Sequence, residues 1–77
     1  MKKDEIHITL HEAMRIVLSE RKDLTLYKKD LADDIFERKL YLKRDGTKAS
    51  SSQIRLRARN YSRMFEILPE GLIRLIV

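Results

Sequence analysis

The chain has 77 residues and a mass of 9.2 kDa, with 17 Lys and Arg against 12 Asp and Glu and a net charge of +5. That length allows one small domain and no second one, and a composition 43% hydrophobic and 38% charged is too apolar for a disordered chain and too charged for a membrane protein. The absence of cysteine excludes disulfides, thiolate zinc sites and cysteine nucleophiles, and fits a reducing, cytoplasmic compartment.

Residues 1–8 read as an N-terminal arm, basic then acidic, and 9–77 as the domain. No apolar signal core follows Glu5, because His7 and Thr9 interrupt it, and no apolar run approaches the ~20 residues that span a bilayer. Thr9 and Glu12 have the spacing of a capping box. Leu10, Ala13, Met14, Val17 and Leu18 then recur on one helical face, which predicts a helix over 9–21 ending near the cations Arg21 and Lys22. Asp23 to Tyr27 is a loop or a short strand. A second helix is expected over 28–39, with Leu31, Ala32, Ile35, Phe36 and Leu40 apolar and Asp30, Asp33, Asp34 and Glu37 on the opposite face.

Residues 41–49 form a loop with a turn at Asp45 and Gly46. The run Ser50, Ser51, Ser52, Gln53 is a second capping box and opens a third helix over 51–61. At roughly 100° per residue, Ile54, Ala58 and Tyr61 fall on its core side. Ser52, Arg55, Arg59 and Arg63 fall on the outer side, and Arg57 lies at the edge of the buried face. Leu56 points outward, about 200° from Ile54, as a rim of the core or as a contact for a thymine methyl. Phe65 and Ile67 share one side of a first strand, and Ile73 and Leu75 one side of a second. Pro69, Glu70 and Gly71 supply the turn between them. A hairpin is barely stable alone, so its apolar face must lie on the helices. The expected fold is α+β: a winged helix of three helices and a C-terminal two-stranded hairpin, with a short strand possible between the first two helices. The 41–49 connection is too long for a tight helix-turn-helix.

Residues 1–40 are neutral in sum, and the whole charge excess falls in 41–77. Four arginines between 55 and 63, with no acid among them, suit an anion, with nucleic acid as the leading class. An exposed arginine helix without a ligand is the plainer alternative. For double-stranded DNA, Arg55 and Arg59 are expected at base edges in the major groove. Lys43, Arg44, Lys48 and Arg63, with Ser51 and Ser52 at the helix N-terminus, are expected at phosphates. The hairpin tip is short and acidic and makes a poor minor-groove wing, although Arg74 could meet a phosphate. The second helix's acids are a solvated face or a docking face for a basic protein partner. Leu72 and Ile76, if exposed, would suit a homodimer. Five Phe and Tyr in all leave no stacking platform for RNA.

Catalytic patterns are weak. His7 and His11 have a metal-pair spacing, but His7 precedes the Thr9 cap. In Glu20 to Lys22 and Glu37 to Lys39 the acid and lysine are two apart, on diverging sides of a helix. The serine triplet is explained by capping, and no phosphate-binding glycine loop is present. No enzyme activity, cofactor, metal or membrane partner is expected.

The segment Leu26 to Ile35, the Leu40–Tyr41 pair with Lys43 to Gly46, the run Ser52 to Arg57 with Asn60–Tyr61, and Phe65–Glu66 with Ile73 to Leu75 are similar, in that order, to segments of HARE-type winged helices. The resemblance covers about residues 10–77. It implies a winged-helix fold, mostly read as DNA-binding, in modules attached to restriction endonucleases, chromatin proteins and the delta subunit of bacterial RNA polymerase. The delta-type member implies a protein-contact role as the alternative. The chain departs from the family at Lys39, where glycine is frequent, and at Arg59, where a small residue is usual. The expected function is therefore DNA binding by the third helix, as a transcription regulator or as an accessory of a restriction or mobile element.

Overall fold

A computed structural model describes residues 8–43 and 45–76. Its elements are α1 (Leu10–Ser19), β1 (Thr25–Tyr27), α2 (Lys28–Glu37), α3 (Ser51–Asn60), β2 (Phe65–Ile67) and β3 (Leu72–Leu75), with a 3-10 turn at Pro69–Gly71. Three helices pack with a three-stranded antiparallel sheet of order β1-β3-β2, a winged-helix-like α+β domain. Of the segment 23–27, Thr25–Tyr27 resolves as a strand because β3 offers it an edge: Leu26 pairs with Ile73 and Tyr27 with Leu72. On the other side of β3, Phe65 pairs with Leu75 and Ile67 with Ile73, so the alternating apolar residues share the core-facing side.

The core is assembled from the expected helical faces. Leu10, Ala13, Met14, Val17 and Leu18 of α1, Leu31, Ala32 and Ile35 of α2, Ile54 and Ala58 of α3, and Phe65, Ile73 and Leu75 of the sheet are buried. No polar or charged residue is buried among the described residues. Ala49, assigned to the loop by its sequence, is buried as well. It immediately precedes the Ser50 cap, and Ile54 follows four residues after that cap. These are the two positions of a hydrophobic staple, which fixes the angle at which the chain enters a helix.

Several local expectations are corrected. The α1 box forms only in half: the Glu12 N–H donates to Thr9 Oγ1 at 3.2 Å, but the Glu12 carboxylate takes Arg15 at 3.0 Å instead of turning back. Helix α1 stops at Ser19, before Arg21 and Lys22, so those cations lie outside its last turn. Helix α2 stops at Glu37, with Lys39 left-handed at φ 56. The Leu40 N–H then donates to the Ile35 carbonyl, and the Lys39 N–H to the Phe36 carbonyl, both at 3.0 Å. This is a Schellman termination built without glycine. Phe36 stays 38% exposed at the edge of the helix's apolar stripe. Tyr61, expected in the core, is also 38% exposed; it ends α3 and stacks on the His11 ring, centroids 3.9 Å apart. An aromatic ring with a polar tip can close the α1 and α3 seam while keeping its hydroxyl wet.

The N-terminal arm, including His7, lies outside the described residues except for Ile8, which packs on the core. Among the described residues no helix is long and apolar enough to cross a membrane.

Candidate nucleic-acid interface

Helix α3 begins with a complete capping box. The Gln53 N–H donates to Ser50 Oγ at 3.2 Å, and the Ser50 N–H donates to Gln53 Oε1 at 2.9 Å. The hydroxyl that caps is therefore Ser50, leaving the Ser51 and Ser52 side chains outside the box. Ser52 is exposed and Ser51 half-buried. Packing of Ile54 and Ala58 against the core turns the opposite face outward, and Ser52, Arg55, Leu56 and Arg59 are all exposed. Leu56 is 55% exposed, so it is no rim of the core. Arg57 is half-buried, as its position at the edge of the packed face requires.

Arg63 does not continue the stripe by helical geometry. Tyr61 leaves the helix at φ −118, ψ 56, and Arg63 sits exposed in the turn closed by the Met64 N–H donating to the Tyr61 carbonyl at 2.8 Å.

The basic residues fall into two groups. Some are neutralised locally: Lys48 by Asp33, Arg38 by Glu20 at 2.7 and 3.0 Å, Arg15 by Glu12, and Arg74 by its cross-strand partner Glu66 at 2.5 Å. Arg55, Arg57, Arg59 and Arg63 make no ion pair with any described residue. Arg21, Lys22, Lys28, Lys39 and Lys43 also make no ion pair with a described residue, but they lie on separate segments, whereas the four arginines fall within nine residues on and just after α3 with no acid among them. That clustering makes a positive surface.

Two residues assigned to phosphate are thus occupied otherwise. Lys48 is held against α2, and Arg74 against Glu66. Lys43 is half-buried in the preceding loop, where its N–H donates to the Thr47 carbonyl at 3.0 Å. Asp45 folds that loop, accepting from the Thr47 hydroxyl at 2.6 Å and the Thr47 N–H at 3.1 Å. Arg44 lies outside the described residues.

The carboxylates respond to these contacts. The Lys48 hydrogen bond holds Asp33 below the usual aspartate range, with Lys29 adding to it. The Arg38 fork does the same to Glu20, and the Thr47 hydroxyl to Asp45. The acidic stripe of α2 is consequently half spent inside the domain. Asp33 faces Lys48 and Lys29, and Asp34 lies 3.9 Å from Arg38. Only Asp30 and Glu37 of that stripe make no ion pair with a described residue. The candidate dimer edge is uneven, with Ile76 44% exposed and Leu72 half-buried. No group of His, Asp and Glu among the described residues is placed to hold a metal ion.

Sequence reasoning located the arginine stripe because a helix wheel needs only spacing. It missed the ion pairs of Lys48 and Arg74, which join residues far apart in the chain. For Arg74 a signal existed: the hairpin register puts it opposite Glu66. No family model, curated protein or solved structure matches this chain.

Proposed function

We propose that this protein binds double-stranded DNA, presenting α3 to the major groove, with Arg55 and Arg59 at base edges and Arg63 and the helix N-terminus at the phosphate backbone. The observation that carries this reading is that four of the five arginines making no ion pair with a described residue, Arg55, Arg57, Arg59 and Arg63, lie on or just after one helix. Guanidinium forks match guanine edges and phosphate oxygens. A rigid helix held by two buried residues and a stapled entry supplies a fixed register for them. The resemblance of its sequence segments to HARE-type winged helices implies the same reading, although no family model matches the chain. Lys43 and Arg44, in the loop before α3, are assigned to the adjacent backbone. Regulation of transcription, or service to a restriction or mobile element, is the role this binding would suit.

The acidic protein-docking alternative has less to offer a partner, because Asp33 and Asp34 already face cations of the same domain. Titration of labelled protein with a mixed-sequence duplex tests the proposal. Shifts should concentrate in 43–63. With about four phosphate contacts, the log–log salt slope should lie near −3.6, on the order of a hundredfold loss from 50 to 200 mM. Arg55→Glu with Arg59→Glu should abolish the shifts without unfolding the domain, since both side chains are exposed. Wild-type protein that gives no shifts at low salt would refute DNA binding.

A further inference from the structure

Leu56 is the most exposed large hydrophobic residue described, and it sits inside the most cationic surface of the domain. Arg55 precedes it, Ser52 lies one turn before it and Arg59 one turn after it. All three are exposed. Folding does not account for it: α3 is anchored by Ile54 and Ala58 on the other side, both fully buried. The remaining exposed apolar residues, Tyr27, Phe36, Leu42, Tyr61 and Ile76, all lie outside α3.

We propose that Leu56 is a specificity-determining residue that packs against the C5-methyl group of thymine in the major groove. The inference rests on the DNA-binding reading and deepens it. A major-groove ligand needs polar forks for guanine and for phosphate, and an apolar contact for the one methyl group that the groove displays. The stripe has both kinds of group on adjacent positions of one helix. Charge complementarity selects the occupant: segment 51–63 carries four arginines and no acid, which suits a polyanion. The same contact separates DNA from RNA, because uracil lacks the methyl and the A-form major groove is too deep and narrow to admit side chains. The preferred sites should therefore place thymine beside the guanines taken by Arg55 or Arg59.

The test uses the full chain and duplexes amplified from one mixed-sequence pool with either dTTP or dUTP, so that they differ only in the C5-methyl. Binding is measured at about 50 mM salt, where the electrostatic contribution is strong. Each methyl buried against Leu56 should favour the thymine duplex by about fourfold, the equivalent of one buried carbon. Leu56→Ala should bind both duplexes equally and keep the wild-type salt slope. Arg55→Ala should bind both more weakly and keep the thymine preference. Salt-dependent binding by wild type with no thymine preference would overturn the role of Leu56 and leave DNA binding standing, as would a preference that survives Leu56→Ala. Absence of wild-type binding to either duplex would remove the DNA reading and this inference with it. A Leu56-dependent association with an acidic protein in that case would identify the patch as a protein contact.

Discussion

Asp33 on α2 holds the Lys48 ammonium of the segment that leads into α3. The pair ties the entry of the arginine helix to the preceding helix, and it withholds one cation from the positive surface. Both side chains are about 40% exposed, so the pair adds little to stability, and a phosphate could compete for the lysine.

Asp33→Asn should release Lys48 and tighten DNA binding, with a salt slope steeper by about 0.9, the value for one added phosphate contact. Asp30→Asn removes the same charge from the same helix without touching Lys48, and should leave the slope unchanged. Equal slopes for the two variants would show that Lys48 gains no phosphate when freed. Binding measured against salt for the two proteins decides between these outcomes.

The acid side of the stability profile follows from three carboxylates. Asp33, Glu20 and Asp45 are each held below their ordinary values of 3.8, 4.5 and 3.8, the first two by Lys48 and Arg38, brought to them by folding, and Asp45 by the nearby Thr47. A lowered folded value means that their contribution is complete above the unfolded value. It is lost as pH falls through the folded one. The urea midpoint should therefore be insensitive to these groups from about pH 7 to 5 and fall below about pH 4.5. Glu20→Gln should flatten part of that fall. A midpoint that drops instead between pH 7 and 5 would assign the dependence to other groups.

Lys39 occupies a left-handed position at the end of α2, where a side chain costs about 1–2 kcal/mol and glycine costs little. Lys39→Gly should stabilise the domain by about 1 kcal/mol, a rise of about 4–8 °C in Tm for a domain of this size. Lys39→Ala keeps the Cβ and should gain nothing. Thermal unfolding of the two variants separates relief of backbone strain from loss of a surface charge.

The His11 and Tyr61 rings lie stacked, 18° from parallel, and join the start of α1 to the end of α3. His11 Nε2 also lies 3.3 Å from the Thr9 hydroxyl that caps α1. A double-mutant cycle with His11→Ala and Tyr61→Ala should return a coupling of about 0.5–1.5 kcal/mol. Truncating the wholly buried Ile54 to alanine should cost about 2–5 kcal/mol and loosen α3 outright. Chemical denaturation of the cycle variants and of Ile54→Ala checks both values.

The sequence by itself determined the elements whose information is local. Apolar residues repeating with the helical period made three buried faces, the Ser50 and Gln53 spacing closed the α3 box, and alternation in 65–67 and 72–75 set which side of the hairpin met the core. The same periodicity put Arg55, Leu56 and Arg59 outside, because a helix that buries Ile54 and Ala58 has no other arrangement. Tertiary structure decided what depends on residues distant in the chain. It made 25–27 a strand by lending it the free edge of β3, and buried Ala49 under the entry to α3. It moved Tyr61 from the core to a stack on His11, because the helix ends there and its wheel no longer applies. Above all, it chose which cations the domain neutralises. Ion pairs such as Lys48 with Asp33 and Arg38 with Glu20 join segments that spacing along the chain cannot relate. The arginines of α3 stand apart from that pairing only because the folded surface offers them no carboxylate among the described residues.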